Sequence, residues 1–81
     1  MIVRKFKYSD SPTASGFSVG MKDFYFSYNT CVAFRANGKL YCRENDWGPT
    51  TGKHLNAIAD RIDRIPGEEF QRLLGELTND N

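Results

Sequence analysis

The fold is decided by residues 24–35, which read FYFSYNTCVAFR. The even-numbered positions, from Phe24 to Phe34, are mainly aromatic or aliphatic, whereas the odd-numbered positions are more polar. A period of two with aromatic and β-branched side chains on one face is typical of a β-strand that buries one side. The run is long for a single strand, so we expect a bulge or a bend near Asn29.

A hairpin signal, Ala36-Asn37-Gly38, follows this run. A two-residue loop at Asn37 and Gly38 would place Phe34 opposite Tyr41. A three-residue loop would place Phe34 opposite Leu40 and would keep the apolar residues on one face, so we favour it. The sequence thus predicts a β-hairpin over residues 24–44.

The two cysteines, Cys31 and Cys42, are predicted to lie on opposite faces of this hairpin. A disulfide between them would have poor geometry, which agrees with a reducing compartment. Two cysteines and a single histidine do not complete a zinc site at any usual spacing. We therefore expect no metal and no cofactor.

The segments on either side complete the predicted architecture. Residues 2–8 have the lysines and arginine of an edge strand, and residues 17–20 are a further short strand. After the hairpin, apolar residues at helical spacing predict helices over residues 50–64 and 66–78. Strands followed by helices indicate an α+β fold, namely an antiparallel sheet of three to four strands with two C-terminal helices packed on one face.

Size and charge exclude several classes of protein. The 81 residues make one domain, spanning residues 1–81, and the formal net charge is +1. This charge gives no footprint for non-specific nucleic-acid binding or for a membrane surface. The chain has no apolar run long enough to cross a bilayer and no secretory leader, so we expect a cytoplasmic protein. A homodimer is compatible with so small a core.

The junction between strand-like and helix-like sequence, residues 45–56, carries the only tryptophan and the only histidine. The string GPTTGK at residues 48–53 is similar to a phosphate-binding loop but fails its count. That motif needs four residues between its glycines and a hydroxyl residue after the lysine, whereas three stand between and His54 follows. Nucleoside-triphosphate hydrolysis is therefore rejected.

A weaker anion site remains as a hypothesis at this helix start. The first turn carries a lysine and no carboxylate, so free backbone N–H groups are available to a nucleotide or to nucleic-acid phosphate. The alternative is a purely structural turn, in which Thr50 or Thr51 caps the helix and Trp47 closes the core. The candidate ligand-binding or partner-binding residues are Trp47, Thr50, Thr51, Gly52, Lys53 and His54.

A second candidate surface is the exposed face of the predicted sheet. Basic and tyrosine side chains together can bind single-stranded nucleic acid through phosphate contacts and stacking. The alternative is a solvated face, which the near-neutral net charge favours. The candidate residues are Tyr25, Arg35, Tyr41 and Arg43.

No catalytic constellation stands out. His54 needs a nucleophile or an orienting carboxylate within reach, and neither Asp46 nor Cys31 is placed beside it by sequence spacing. We expect no catalytic residues and no enzymatic activity.

Several strings resemble a family of small, uncharacterised proteins found largely in bacteriophage genomes. They read SYNT at residues 27–30, VAF at 32–34, and TTGKHLN at 50–56 around Trp47, so the likeness covers about residues 25–65. The resemblance implies a phage accessory protein in the host cell cytoplasm and assigns no catalytic residues. We therefore expect a non-enzymatic protein that binds a host or defence protein, with anion or nucleotide binding as the alternative.

Overall fold

The computed structural model describes residues 2–78 and confirms the α+β class, with five strands instead of three to four. The strands form one antiparallel sheet in the order of the chain. No helix among the described residues is long and apolar enough to cross a membrane. The elements are β1 (Val3–Phe6), β2 (Ala14–Val19), β3 (Lys22–Ser27), β4 (Thr30–Ala36), β5 (Lys39–Cys42), α1 (Pro49–Asn56), a 3₁₀ turn (Arg61–Asp63) and α2 (Gly67–Thr78).

The predicted hairpin over residues 24–44 is wrong in its first half. The chain turns back at Tyr28 and Asn29, so residues 24–27 belong to β3 and residues 30–36 form β4. The expected bend near Asn29 is therefore a complete two-residue turn. It requires a φ of 56° at Tyr28, a left-handed conformation that tyrosine rarely adopts, which the alternation pattern did not signal.

The favoured register of the following hairpin is also wrong. Phe34 pairs with Tyr41 and Ala36 with Lys39, so the loop has two residues. Asn37 and Gly38 both have positive φ, 54° and 76°, as a tight hairpin turn demands. The prediction assumed that only one face of the sheet is buried, and that assumption fails.

Both faces of β4 are covered, because the two helices lie on opposite sides of the sheet. Leu55 of α1 packs with Ala33 and Cys42, which are paired neighbours on one face. Phe70 of α2 packs on the other face, with its ring 5.5 Å from that of Phe34. The predicted packing of both helices on one face is therefore wrong.

The chain reaches the second face by crossing the outer edge of β5. Ile65 donates its N–H to the Cys42 carbonyl at 2.9 Å and accepts the Glu44 N–H at 2.8 Å. Residues around Ile65 thus act as a short parallel strand beside the end of β5. This crossing places α1 and α2 on opposite faces and also covers the end of this edge, at Cys42 and Glu44.

The predicted helix over residues 50–64 is shorter than expected and ends at Asn56. The apolar residues Ile58 and Ala59 still pack on the α1 side, but Asp60 takes an extended conformation and starts the 3₁₀ turn. Arg64 donates from Nη2 to the Ala59 carbonyl at 3.0 Å and so gives the carbonyl at the end of this segment a hydrogen-bond partner. Helical spacing alone did not reveal the break, because the apolar residues remain on the buried side.

Among the described residues, Phe70 is the largest fully buried side chain, and it packs α2 against Phe34 and Ala36 of the sheet. We expect Phe70→Ala to lower the free energy of unfolding by about 3–5 kcal/mol, because a buried aromatic is lost and a cavity remains. Denaturant titration measures this change. The exposed neighbour Gln71→Ala is the control and should stay within about 0.5 kcal/mol. Equal effects of the two substitutions would contradict the assigned packing.

Candidate functional site

The candidate site is the loop that connects β5 to α1, residues 43–48, which we call the Trp47 loop. Asn45 fixes its shape through both ends of its side-chain amide. Its Oδ1 accepts the Trp47 backbone N–H at 2.8 Å, and its Nδ2 donates to the Gly48 carbonyl at 3.3 Å. An asparagine that bonds its own backbone two residues later makes an Asx turn, so the loop is tied locally.

Arg43, the first residue of this loop, is only 7% exposed, and its side chain lies under the residues that follow. The centre of its guanidinium is 4.6 Å from the Trp47 ring centroid and 5.9 Å from the Phe70 ring centroid. Its Nη2 donates to Asp46 Oδ2 at 2.6 Å, and its Nε donates to the Glu44 carbonyl at 3.4 Å. A buried guanidinium needs such partners, and its flat faces suit aromatic rings.

The start of α2 is shaped to fit this guanidinium. A Cβ atom on Gly67 would overlap the Arg43 side chain and would lie 3.1 Å from Asp46 Oδ2. A larger residue at this position would therefore force the guanidinium of Arg43 to move from its observed place. Arg43 consequently joins three parts of the molecule: the end of the sheet, the Trp47 loop and the first turn of α2.

Trp47 itself is 44% exposed. It stacks on the guanidinium, while a large part of the ring system remains open to solvent. A large aromatic side chain that is both exposed and held in place is typical of binding surfaces.

The N-terminus of α1 follows directly and lacks the expected threonine cap. The cap position is occupied by Gly48, no side chain bonds the first turn, and Pro49 is at the start of the helix. The first turn contains no acidic residue. Thr50 and Lys53 are exposed, and Gly52 lies against the Asn45 amide, where a Cβ would come within 3.1 Å.

Thr51 and His54 point away from this surface, into the molecule. Thr51 Oγ1 is 3.0 Å from Ser27 Oγ, and Ser27 Oγ is 2.7 Å from His54 Nδ1. The other ring nitrogen, Nε2, lies 2.9 Å from Ser11 Oγ and 3.4 Å from Thr13 Oγ1. These four hydroxyls and His54 form what we call the His54 network, which joins the loop before β2, the end of β3, and α1.

His54 is 1% exposed, and burial lowers its pKa below the ordinary value of 6.5. A neutral imidazole suits this position, since one nitrogen donates and the other accepts, and a hydroxyl can serve either role. The rings of Tyr8 and Tyr28 also lie beside it, at 6.4 and 6.2 Å between centroids. The network therefore stabilises a neutral, buried histidine.

The chemistry available to this histidine is limited. The Ser11 hydroxyl on Nε2 has the geometry of a nucleophile beside a base, but the other nitrogen meets the hydroxyl of Ser27 where a triad would place a carboxylate. Cys31 belongs to the cluster on the α2 face, away from His54. Burial raises the pKa of the Cys31 and Cys42 thiols to about 11, so neither is a ready nucleophile.

The proposed sheet-face residues do not form one surface. Tyr25 lies on the α1 face, where its ring is 5.3 Å from those of both Phe6 and Tyr8. Tyr41 lies on the α2 face and stacks on Phe34 at 5.0 Å. Arg35 pairs with Leu40 on the α1 side, and Arg43 is buried beneath Trp47.

Sequence reasoning missed the hydroxyl partners of His54. Ser11, Thr13 and Ser27 are far from His54 along the chain, and serine-rich turns are common in loops. Tyr8 was missed as well; its hydroxyl donates to the Phe26 carbonyl at 2.7 Å, and burial raises its pKa to about 12. No local pattern distinguishes these residues from solvated ones.

A metal centre is not indicated. Among residues 2–78, no group of three or more His, Cys, Asp or Glu side chains is arranged to hold a metal ion.

The comparisons with known proteins assign the chain to a family. It belongs to DUF8033, a family of unknown function, whose model matches residues 2–72. This match begins well before residue 25, where the likeness noted in the sequence starts, so β1 and β2 belong to the family as well. No curated protein and no solved structure matches the chain.

The buried histidine predicts a dependence of stability on pH. The unfolded chain takes up a proton on His54 near pH 6.5, whereas the folded protein does so only at lower pH. The contribution of neutral His54 to the free energy of unfolding is therefore complete above pH 6.5. It is lost as the pH falls toward the pKa of His54 in the folded protein. Denaturant titrations across this range should show it, and His54→Gln should remove this part of the pH dependence. An identical dependence in both proteins would contradict the assignment.

Proposed function

We propose that the protein is a non-enzymatic binding protein that engages a host or defence protein in an infected bacterial cell, with the Trp47 loop as its contact surface. The observation that carries the proposal is an exposed tryptophan held in place by a buried arginine. The cellular setting, including a cytoplasmic location, rests on the resemblance of residues 25–65 to phage-encoded proteins.

The restrained geometry of Trp47 supports protein binding. Its ring stacks on Arg43, and its backbone N–H is bonded by Asn45. A side chain that is ordered before binding loses less conformational entropy in the complex. Tryptophan is also among the residues that most often dominate the free energy of association.

The charges around Trp47 indicate the chemistry of the partner. Glu44 and Asp46 are exposed in the loop itself, and Asp46 lies close to Gly67 at the start of α2. The next two residues of α2, Glu68 and Glu69, are also exposed. Asp46 is already paired with Arg43, so the three glutamates make the acidic rim. Such a rim favours a partner with an apolar pocket bordered by lysine or arginine.

The His54 network supports a non-enzymatic role. The single histidine is buried among hydroxyls and has no carboxylate among its hydrogen-bond partners in residues 2–78. Its position joins three segments, which is a structural task.

Anion binding at the start of α1 is the second candidate. It is favoured by the absence of a side-chain cap and of acidic residues in the first turn. Support for it is weaker, because Thr51 and His54 are engaged inside the molecule and only Thr50, Gly52 and Lys53 remain near an anion.

Capture from bacterial lysate with matched variants tests the contact surface. We expect Trp47→Ala to weaken binding of the captured partner by about 2 kcal/mol or more, since an anchoring aromatic is lost. Ile62→Ala is the control, because it removes a side chain that is 90% exposed in the 3₁₀ turn. Thermal unfolding of both variants verifies that they are folded. Equal capture by the wild type and Trp47→Ala would refute the assigned surface.

A further inference from the structure

We propose that the open edge of β1 is a second interaction surface, which binds an acidic, extended segment of a partner by strand addition. The Trp47 loop lies at the opposite side of the sheet, so the two surfaces are independent.

The two edges of the sheet differ in how they end. The β5 edge is covered where Ile65 exchanges backbone hydrogen bonds with Cys42 and Glu44. At the other edge, β1 pairs with β2, and no other strand of residues 2–78 lies outside it. A row of backbone N–H and C=O groups on β1 therefore faces outward and is available to another chain.

The β1 edge is short, but it lacks a bulge and a proline, two features that normally prevent pairing. Its four residues pair with β2 in an unbroken register from Val3 to Phe6, without a bulge or a proline. All but Phe6 are exposed. An extended peptide can add to such an edge through main-chain hydrogen bonds.

The side chains of β1 select the charge of the incoming strand. Arg4 and Lys5 are exposed, and in the described part of the chain neither has a carboxylate within ion-pair distance. Lys7, just after the strand, is 3.5 Å from Asp10. Like charges on adjacent strands are unfavourable, so these residues oppose pairing with a second copy of β1 and favour an acidic strand.

A shallow depression beside the start of β1 extends the same chemistry. Its volume is about 990 Å³, and it combines the exposed side chains of Ile2 and Met21 with the basic residues Arg4, Lys22 and Arg35. The one acid in it, Asp23, already accepts the Ser18 hydroxyl at 2.6 Å. The depression runs from β1 across the sheet to β4, and its end at Ile2 and Arg4 adjoins the open edge. That end offers an apolar contact and positive charge to the end of a partner strand.

Selection from a random library of linear peptides tests this inference. We expect the selected peptides to be enriched in aspartate and glutamate and poor in proline. When titrated into isotope-labelled protein, they should slow hydrogen exchange of alternate β1 amides. The double substitution Arg4→Glu with Lys5→Glu should weaken binding by about tenfold or more, which corresponds to about 1.4 kcal/mol.

The matched control is Lys39→Glu with Arg61→Glu, which makes the same change in net charge at exposed positions elsewhere. It should change the affinity by less than about twofold. Failure to select peptides, selection without acidic enrichment, or equal effects of the two double substitutions would overturn the proposal. A dimer with protected β1 amides would also overturn it, because a second copy would then occupy the edge.

Discussion

The buried guanidinium of Arg43 is the interaction on which the rest of this structure depends. It follows the last residue of β5, lies over the rings of Trp47 and Phe70, and pairs with Asp46. This buried charge is tolerated because the guanidinium donates hydrogen bonds to Asp46 and Glu44 and contacts two aromatic rings. Its backbone N–H also bonds the Val32 carbonyl at 3.1 Å, which continues the pairing of β4 with β5. Arg43 consequently connects the Trp47 loop, the sheet and α2 to one another.

The division of the core between two faces follows from the path of the chain around β5. One helix covers each face of β4, so this strand is buried on both sides although the sheet is antiparallel. The His54 network anchors α1 on its face, and Phe70 anchors α2 on the other. Since β4 and β5 carry both helices, β1 is left at the open end of the sheet. The closed end presents an aromatic side chain with an acidic rim, and the open end presents basic side chains and a free edge.

Patterns within one segment predicted much of the fold. Alternation in residues 24–35 identified strand structure, the Asn37-Gly38 signal located a hairpin, and the lysine-rich residues 2–8 suggested an edge strand. The wrong predictions concern one turn without its usual residue and several long-range relations. The turn at Tyr28 lacks the usual glycine, the hairpin register depended on which faces are buried, and the crossing at Ile65 has no sequence signature. Within the site, Trp47 was identified as a candidate, whereas Arg43 was taken for an exposed residue because the predicted hairpin placed it on the solvent face of the sheet.

The central claim is that Arg43 holds Trp47 in a fixed, exposed position, and the time-resolved fluorescence anisotropy of Trp47 tests it most directly. Because this is the only tryptophan, its signal is unambiguous. In the wild type the anisotropy should decay with the tumbling of the whole protein. In Arg43→Lys, which keeps the charge and loses the planar stacking surface, a fast local component should appear. A dominant fast component already in the wild type, or the same decay in both folded proteins, would contradict the account.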